Sequence, residues 1–370
     1  MDKILICFGT RPEAIKMAPL ILELKKNSSF KIAVCVTAQH REMLDQVLFF
    51  FKITPDYDLN LMQSNQTLNQ LSSRILSKID VVLDDFKPEL VLVHGDTTTS
   101  SMVALASFHK HIKVAHIEAG LRTYNKNAPF PEEINRQITG RIADYHFAPT
   151  RQAADNLIYN EKIDSSNVYV TGNTVIDALL LGIKHINIER LEILELDKKL
   201  DKKKRIILMT GHRRENFGEK FESICEALLE LSKRDDIQII YPVHLNPKVQ
   251  EPVTKILKNI DNILLVNPLD YEIFIWLMNK SYLIITDSGG VQEEAPSLKI
   301  PVLVTREVTE RQEAVEVNAV KLVGTTKKTI LTEAIKLLDN KEEYNKMISN
   351  DNPYGDGNAS RKIKDIISLL

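Results

Sequence analysis

"DSGGVQEEAPSL", residues 287–298, lies between "YLIIT" (282–286) and "PVLVT" (301–305). Two apolar runs of strand length flank a loop that leads into a short helical pattern, which reads as a β–α–β unit. Ser288, Gly289 and Gly290 at a helix start expose backbone N–H groups and the positive end of the helix dipole, which suits an anion such as phosphate. The carboxylates one turn later suit a sugar hydroxyl better than a phosphate. The stretch therefore points to a phosphorylated sugar.

The same alternation runs outward in both directions. "KILICFG" (3–9), "KIAVCVTA" (31–38), "ELVLVHGD" (89–96), "KVAHIEAG" (113–120), "YHFAPT" (145–150) and "VYVTGN" (168–173) are separated by amphipathic segments. After a long helix and the charge run "ERLEILELDKKLDKKKR" (189–205), the pattern restarts with "RIILMTGH" (205–212), "IQIIYPVH" (237–244) and "NILLVNPL" (262–269). The charge run reads as a solvated helix and linker. The expected fold class is α/β: two doubly wound Rossmann-like domains facing a central cleft, over 1–173 and 174–354, with a C-terminal helix at 355–370 packing back on the first. Ligands of such sheets bind beyond the carboxyl ends of the strands.

Composition narrows the function. A chain of 370 residues exceeds a typical single core. Lys+Arg of 48 against Asp+Glu of 50 advertises neither a nucleic-acid nor a membrane partner. Cys7, Cys35 and Cys225 are scattered, with no disulfide framework or metal-ligand spacing, which suits a reducing compartment. The apolar run in "MDKILICFGTRPE" is too short for a signal peptide, and no stretch approaches membrane-spanning length, so a cytoplasmic location is expected. "CFGTRPE" stands where a dinucleotide-binding G-x-G-x-x-G would follow the first strand, and no G-x-x-x-x-G-K-[ST] occurs. Neither bound NAD nor an ATP-hydrolysing loop is indicated, and no cofactor or metal is expected.

Polar residues crowd the strand ends. Arg11, Glu13 and Lys16 follow the first strand; His94 and Asp96 follow "ELVLV"; Glu118 follows "KVAHI". In the second half stand His212, Arg213, His244 and the 287–290 turn. Each alone has a bland reading. Asp96 can be the N-cap of a helix starting at Thr97, Lys16 a surface lysine, His212 a loop histidine, and "PFPEEINRQ" a proline-started helix with acidic residues favoured by its dipole. Their concentration on one rim favours chemistry.

"FGTRPEAIKMAPL", "VTAQHREMLDQVL", "VHGDTTTS", "HIEAGLRT", "PFPEEINRQ", "VTGNTVIDAL", "TGHRREN", "YPVHLNP", "TDSGGVQEEAPSL" and "NPYGDGNASRKI" together resemble the bacterial non-hydrolysing UDP-N-acetylglucosamine 2-epimerases, in order and along essentially the whole chain. That family is similar in architecture to two-domain glycosyltransferases of the GT-B type. The resemblance implies interconversion of UDP-N-acetylglucosamine and UDP-N-acetylmannosamine for surface polysaccharide precursors, by a homodimer. It further implies that Arg11, His212, Ser288, Gly289, Gly290 and Arg311 contact the nucleotide and diphosphate. Glu294 would hold the ribose hydroxyls, Phe274 would neighbour the uracil, and Glu293 would face solvent or a neighbour. Lys16, Asp96, Glu118 and Glu132 would surround the sugar. Gln39, Arg74, Arg213 and His244 fall in blocks where relatives bind a second UDP-N-acetylglucosamine as activator. Leu269 and Glu42 depart from some relatives.

The chemistry fits these residue types. No carbonyl acidifies the C2 proton of the sugar, so a route without NAD expels UDP from C1, removes the C2 proton and adds UDP back after the proton returns on the opposite face. Cations and helix N-termini stabilise the departing diphosphate. Paired carboxylates in different environments handle the protons. Asp96, Glu118 and Glu132 are the candidates, with Lys16 able to hold one ionised. The competing expectations are a GT-B glycosyltransferase, a hydrolysing epimerase that releases N-acetylmannosamine and UDP, and a catalytically dead nucleotide-sugar sensor.

Overall fold

The computed structural model describes residues 2–38, 41–63 and 66–370. Among these residues the chain forms two sheets. The first comprises β1 (Lys3–Phe8), β2 (Lys31–Val36), β3 (Tyr57–Asp58), β4 (Leu90–His94), β5 (Lys113–Ile117), β6 (Tyr145–Ala148) and β7 (Val168–Val170), in the order β3-β2-β1-β4-β5-β6-β7. The second comprises β8 (Arg205–Thr210), β9 (Ile237–Pro242), β10 (Ile263–Val266), β11 (Leu283–Thr286), β12 (Val302–Val304) and β13 (Val320–Leu322), in the order β10-β9-β8-β11-β12-β13. Neighbouring strands pair in parallel throughout. Their near-continuous Val, Ile and Leu runs follow from burial on both faces.

The chain divides into two compact units, Met1–Leu181 with Tyr354–Leu370, and Gly182–Pro353. The division falls inside the helix Thr174–His185, whereas the sequence pattern placed it at 173/174. The first half of that helix is tied to the first unit: the Asp177 carboxylate accepts the backbone N–H groups of Ala359 and Ser360 at 3.2 and 2.8 Å. The helix Ala359–Ile367 then buries Ile363 and Ile367 completely, and its Lys364 pairs with Glu23 at 3.5 Å. The charge run is more than a solvated linker. Its helix, Leu191–Lys199, buries Ile193 and Leu196, and Arg190 before it pairs with Asp270 and Glu272 at 2.5 and 2.8 Å.

Each sheet reverses strand order once, between β1 and β4 and between β8 and β11. At such points the outgoing loops diverge and open a crevice over the carboxyl ends. The helix Arg11–Leu24 starts at the first crevice because Thr10 and Glu13 form a reciprocal capping box, with Pro12 in the first turn. Glu13 is 2 % exposed and reaches further, accepting from Gly9 N at 3.0 Å and from the Thr97 hydroxyl at 2.7 Å. It thereby joins the loops that follow β1 and β4. Cys7 and Cys35 are register neighbours on β1 and β2, buried and free.

The first sheet also buries three histidines, of which the strand-end reading singled out only His94. His94 ends β4, while His116 and His146 are register partners on β5 and β6. Burial drives their pKa values down, to about 4, 3 and 4 respectively, so all are neutral at pH 7. An unfolded histidine titrates near 6.5. Between there and about pH 4 the unfolded chain binds protons that the native chain does not, so native stability is lost as pH falls, by up to about 1.4 kcal/mol per pH unit per histidine. Urea unfolding followed from pH 7 to 4.5 should show this loss, and His146→Gln should flatten it by one histidine's share. Identical slopes for the variant and the parent chain would refute the assignment.

Candidate functional site

The turn after β5 carries Glu118, whose φ of +61° is left-handed. That conformation costs a non-glycine residue roughly 1 kcal/mol and persists where the surroundings enforce it, commonly at functional sites. Glu118 Oε2 receives the Lys16 ammonium from one turn inside the helix Arg11–Leu24. The same oxygen accepts from Asn173 Nδ2 at 2.8 Å and lies 4.0 Å from His94 Nε2. Lys16 and Glu118 are nearly buried, at 13 and 10 % side-chain exposure, so their pairing is shielded from bulk water. The surface reading of Lys16 is therefore wrong. Arg11 opens the same helix and is half-buried.

Asp96 sits after β4. It is not the N-cap of the following helix. Thr97 takes that role, its hydroxyl accepting from Ser100 N, and the helix runs Thr98–His109. The Asp96 carboxylate instead receives Arg136 Nη2 at 2.6 Å. Burial pushes the Asp96 pKa above the usual carboxylate range, with Glu118 and Glu132 adding like charge while Arg136 and Lys16 oppose. Glu132, half-buried, opens the helix Glu132–Ile142 that also presents Arg136. Its neighbour Glu133 is structural. Fully buried, it accepts from Thr123 N at 2.9 Å, Tyr124 N at 3.0 Å and Gln137 Nε2 at 2.7 Å, fixing the loop before the helix.

In the second unit the crevice is organised by Asp287, fully buried after β11. It accepts the backbone N–H groups of His212 and Arg213 at 3.0 and 2.8 Å, and Asn216 Nδ2 at 3.3 Å, so it shapes the loop after β8. His212 stacks on His244, with ring centroids 5.3 Å apart and planes at 10°. Burial lowers the His212 pKa, with Asp287 opposing and His244 and Arg213 assisting. The imidazole is thus a neutral donor at pH 7. His244 Nδ1 accepts from Asn246 N at 3.1 Å, which leaves its proton on Nε2.

Ser288, Gly289 and Gly290 form the turn into the helix Gly289–Glu294. A Cβ on Gly289 would meet the Arg311 guanidinium carbon at 3.1 Å, so Arg311 lies directly against the turn. Glu293 does not face solvent. It is 2 % exposed and holds Arg311 through Nε at 2.9 Å and Nη2 at 2.8 Å. Glu294 is 7 % exposed and accepts from the Tyr271 hydroxyl at 3.4 Å. Tyr271 and the half-buried Phe274 share the helix Tyr271–Lys280.

In the first unit, then, Lys16, Asp96, Glu118 and Glu132 come together with the unanticipated Arg136 and Asn173. In the second, His212, Arg213, His244, Ser288, Gly289, Gly290 and Arg311 gather around Asp287 and Glu293. Arg74 lies on the helix Leu68–Phe86, its guanidinium donating to the side chains of Gln63 and Gln66. Gln39 falls outside the described residues. Among the described residues no cluster of three or more His, Cys, Asp or Glu side chains is disposed to hold a metal ion, and no helix is long and apolar enough to cross a membrane.

Comparison with known proteins agrees with this fold. A family model described as UDP-N-acetylglucosamine 2-epimerase matches residues 22–368. The chain is 56% identical to the UDP-N-acetylglucosamine 2-epimerase of Campylobacter jejuni, across 99% of this chain and 97% of that one. It is 52% identical to the Escherichia coli (strain K12) protein of the same name, across 99% and 98%. The crystal structure of the Neisseria meningitidis UDP-GlcNAc 2-epimerase bound to UDP-GlcNAc matches with a TM-score of 0.89 at 48% identity, covering 100% of both chains. With its fold and its full length in correspondence, the chain belongs to the UDP-N-acetylglucosamine 2-epimerase family.

Proposed function

We propose that this protein interconverts UDP-N-acetylglucosamine and UDP-N-acetylmannosamine without hydrolysis, by eliminating UDP and adding it back. The observation that carries the proposal is the pair of unlike carboxylates on neighbouring strand ends. Glu118 is ion-paired with Lys16 and takes an amide donor, whereas burial pushes the Asp96 pKa upward. Such a difference lets one group accept a proton while another retains one at the same pH. Glu132 is the third proton-transfer candidate.

The reaction balances as follows. The C2–H bond breaks as its proton passes to a carboxylate, its electrons form the C1–C2 double bond, and the C1–O bond breaks with its pair leaving on UDP. The unsaturated 2-acetamido sugar then takes a proton on the opposite face of C2, and UDP returns to C1. The departing diphosphate would be held by Arg11, Ser288, Gly289, Gly290 and Arg311, with the neutral His212 donating an N–H. Glu294 would bind the ribose and Phe274 would flank the uracil. The Glu293 carboxylate supports this role by locking Arg311 against the 288–290 turn. We further propose a cytoplasmic homodimer that supplies surface polysaccharide synthesis. Arg74, Arg213, His244 and Gln39 are its candidate contacts for an activating second substrate.

Incubation with UDP-N-acetylglucosamine alone in D2O should yield UDP-N-acetylmannosamine carrying deuterium at C2, read as a mass increase of the product. Free N-acetylmannosamine accumulating with UDP would show hydrolysis, and a product that keeps C2 protium would end the elimination mechanism.

Two substitutions separate the roles. Glu294→Ala should weaken UDP binding by about tenfold or more, the value of a hydrogen bond to a charged group, as measured by calorimetry. Glu118→Gln should lower kcat by roughly 10²- to 10⁴-fold while UDP affinity holds. A shared defect in both variants would show that the roles are misassigned.

A further inference from the structure

We infer that Asn173 is a positioning residue that fixes the direction of the Glu118 carboxylate and anchors it to the chain's returning segment at 354–355. The inference rests on the reading of Glu118 as a proton-transfer group.

Asn173 is 3 % exposed and stands between β7 and the helix Thr174–His185. Its Oδ1 accepts Val175 N at 3.0 Å, capping that helix. This bond decides the orientation of the amide: the oxygen is committed to the helix, so the NH2 group must be the end that meets Glu118, 55 residues away in sequence, at 2.8 Å. The backbone N–H of Asn173 donates to Tyr354 O at 2.7 Å. The preceding Gly172 makes this approach possible. Its φ is +92°, and a Cβ there would come within 3.3 Å of Tyr354 O and 3.4 Å of Gly355 Cα.

Two donors therefore share Glu118 Oε2, and they differ in stiffness. Lys16 ends in an ammonium on a flexible four-carbon stem, which can follow the carboxylate wherever it points. Asn173 is held at its amide oxygen and at its backbone, so it is the fixed one. Both donors favour the ionised carboxylate. His94 on β4, neutral at pH 7, and Asp96 on the loop beyond it, itself held by Arg136, also face Glu118. His116, two residues before Glu118 on β5, binds Gly95 O at 2.7 Å. Of these two donors on Oε2, the cation is mobile and the amide is rigid.

Asn173→Asp preserves size and the helix cap while replacing the donor with a second carboxylate. Its kcat should fall about ten- to a hundredfold near pH 7, with a pH profile that departs from the parent's, because the new carboxylate repels the Glu118 carboxylate where the amide had donated to it. UDP affinity should stay within about twofold of the parent enzyme. Asn173→Ser, which keeps a capping oxygen without the reach to Glu118, should shift in the same direction and carries the test if the aspartate variant does not fold. Parent-like kcat and pH profile in the folded variants would overturn the inference. So would a loss that is constant across pH, the mark of a merely structural role. Glu118→Gln measured alongside separates the two claims. Full activity there would remove the role of Glu118 itself, whereas an inactive Glu118→Gln beside parent-like Asn173 variants would remove only that of Asn173.

Discussion

Parallel pairing obliges every strand of a sheet to be left at the same edge, so each connection must cross back over one face. Where strand order reverses, successive connections cross opposite faces and their loops part above the strand ends. Both units meet this constraint alike, with a buried carboxylate bracing the parted loops. In the first, Glu13 gathers donors from Gly9, Thr10, Thr97 and Ser100. In the second, Asp287 gathers His212, Arg213 and Asn216. A carboxylate buried this deeply is tolerated because donors surround it. The same donors immobilise the loops that carry the candidate functional side chains.

The polar chemistry is graded by what surrounds each group. Asp96 has one arginine against burial and two nearby carboxylates, so its proton is held more tightly than usual. Glu118 has an ammonium and an amide. Glu133, one residue from Glu132, is consumed by backbone donors and serves only to hold a loop. Carboxylates of one chemical type thus acquire different tasks from burial and donor count alone.

Much of this was legible in the residues themselves. Apolar runs announced the strands, and the rule that ligands lie beyond carboxyl ends singled out Lys16, Asp96, Glu118, His212 and Ser288. What periodicity does not encode is which partner a polar group finds. Asp96 and Thr97 are both good N-caps and adjacent, and only the fold shows that Thr97 caps while Asp96 reaches Arg136 forty residues on. Glu293 and Glu294 look equivalent in sequence, yet Glu293 is turned inward onto Arg311. Asn173 carried no reading of its own within "VTGNTVIDAL", because its significance lies in a contact with Glu118 from a distant strand end. His116 and His146 were hidden for a related reason: inside a strand, a neutral imidazole passes for one more apolar side chain.

The return of residues 354–370 to the first unit has a consequence for how the molecule is made. During synthesis, Gly182–Pro353 leaves the ribosome as one continuous stretch containing all the strands of its own sheet, and it can fold as soon as it emerges. The first unit, though begun earlier, must wait. Its helix Arg11–Leu24 lacks the cover supplied by Ile363 and Ile367, and Asn173 lacks the carbonyl of Tyr354, until the second unit has been completely translated. The half of the protein that bears the carboxylates is started first and finished last.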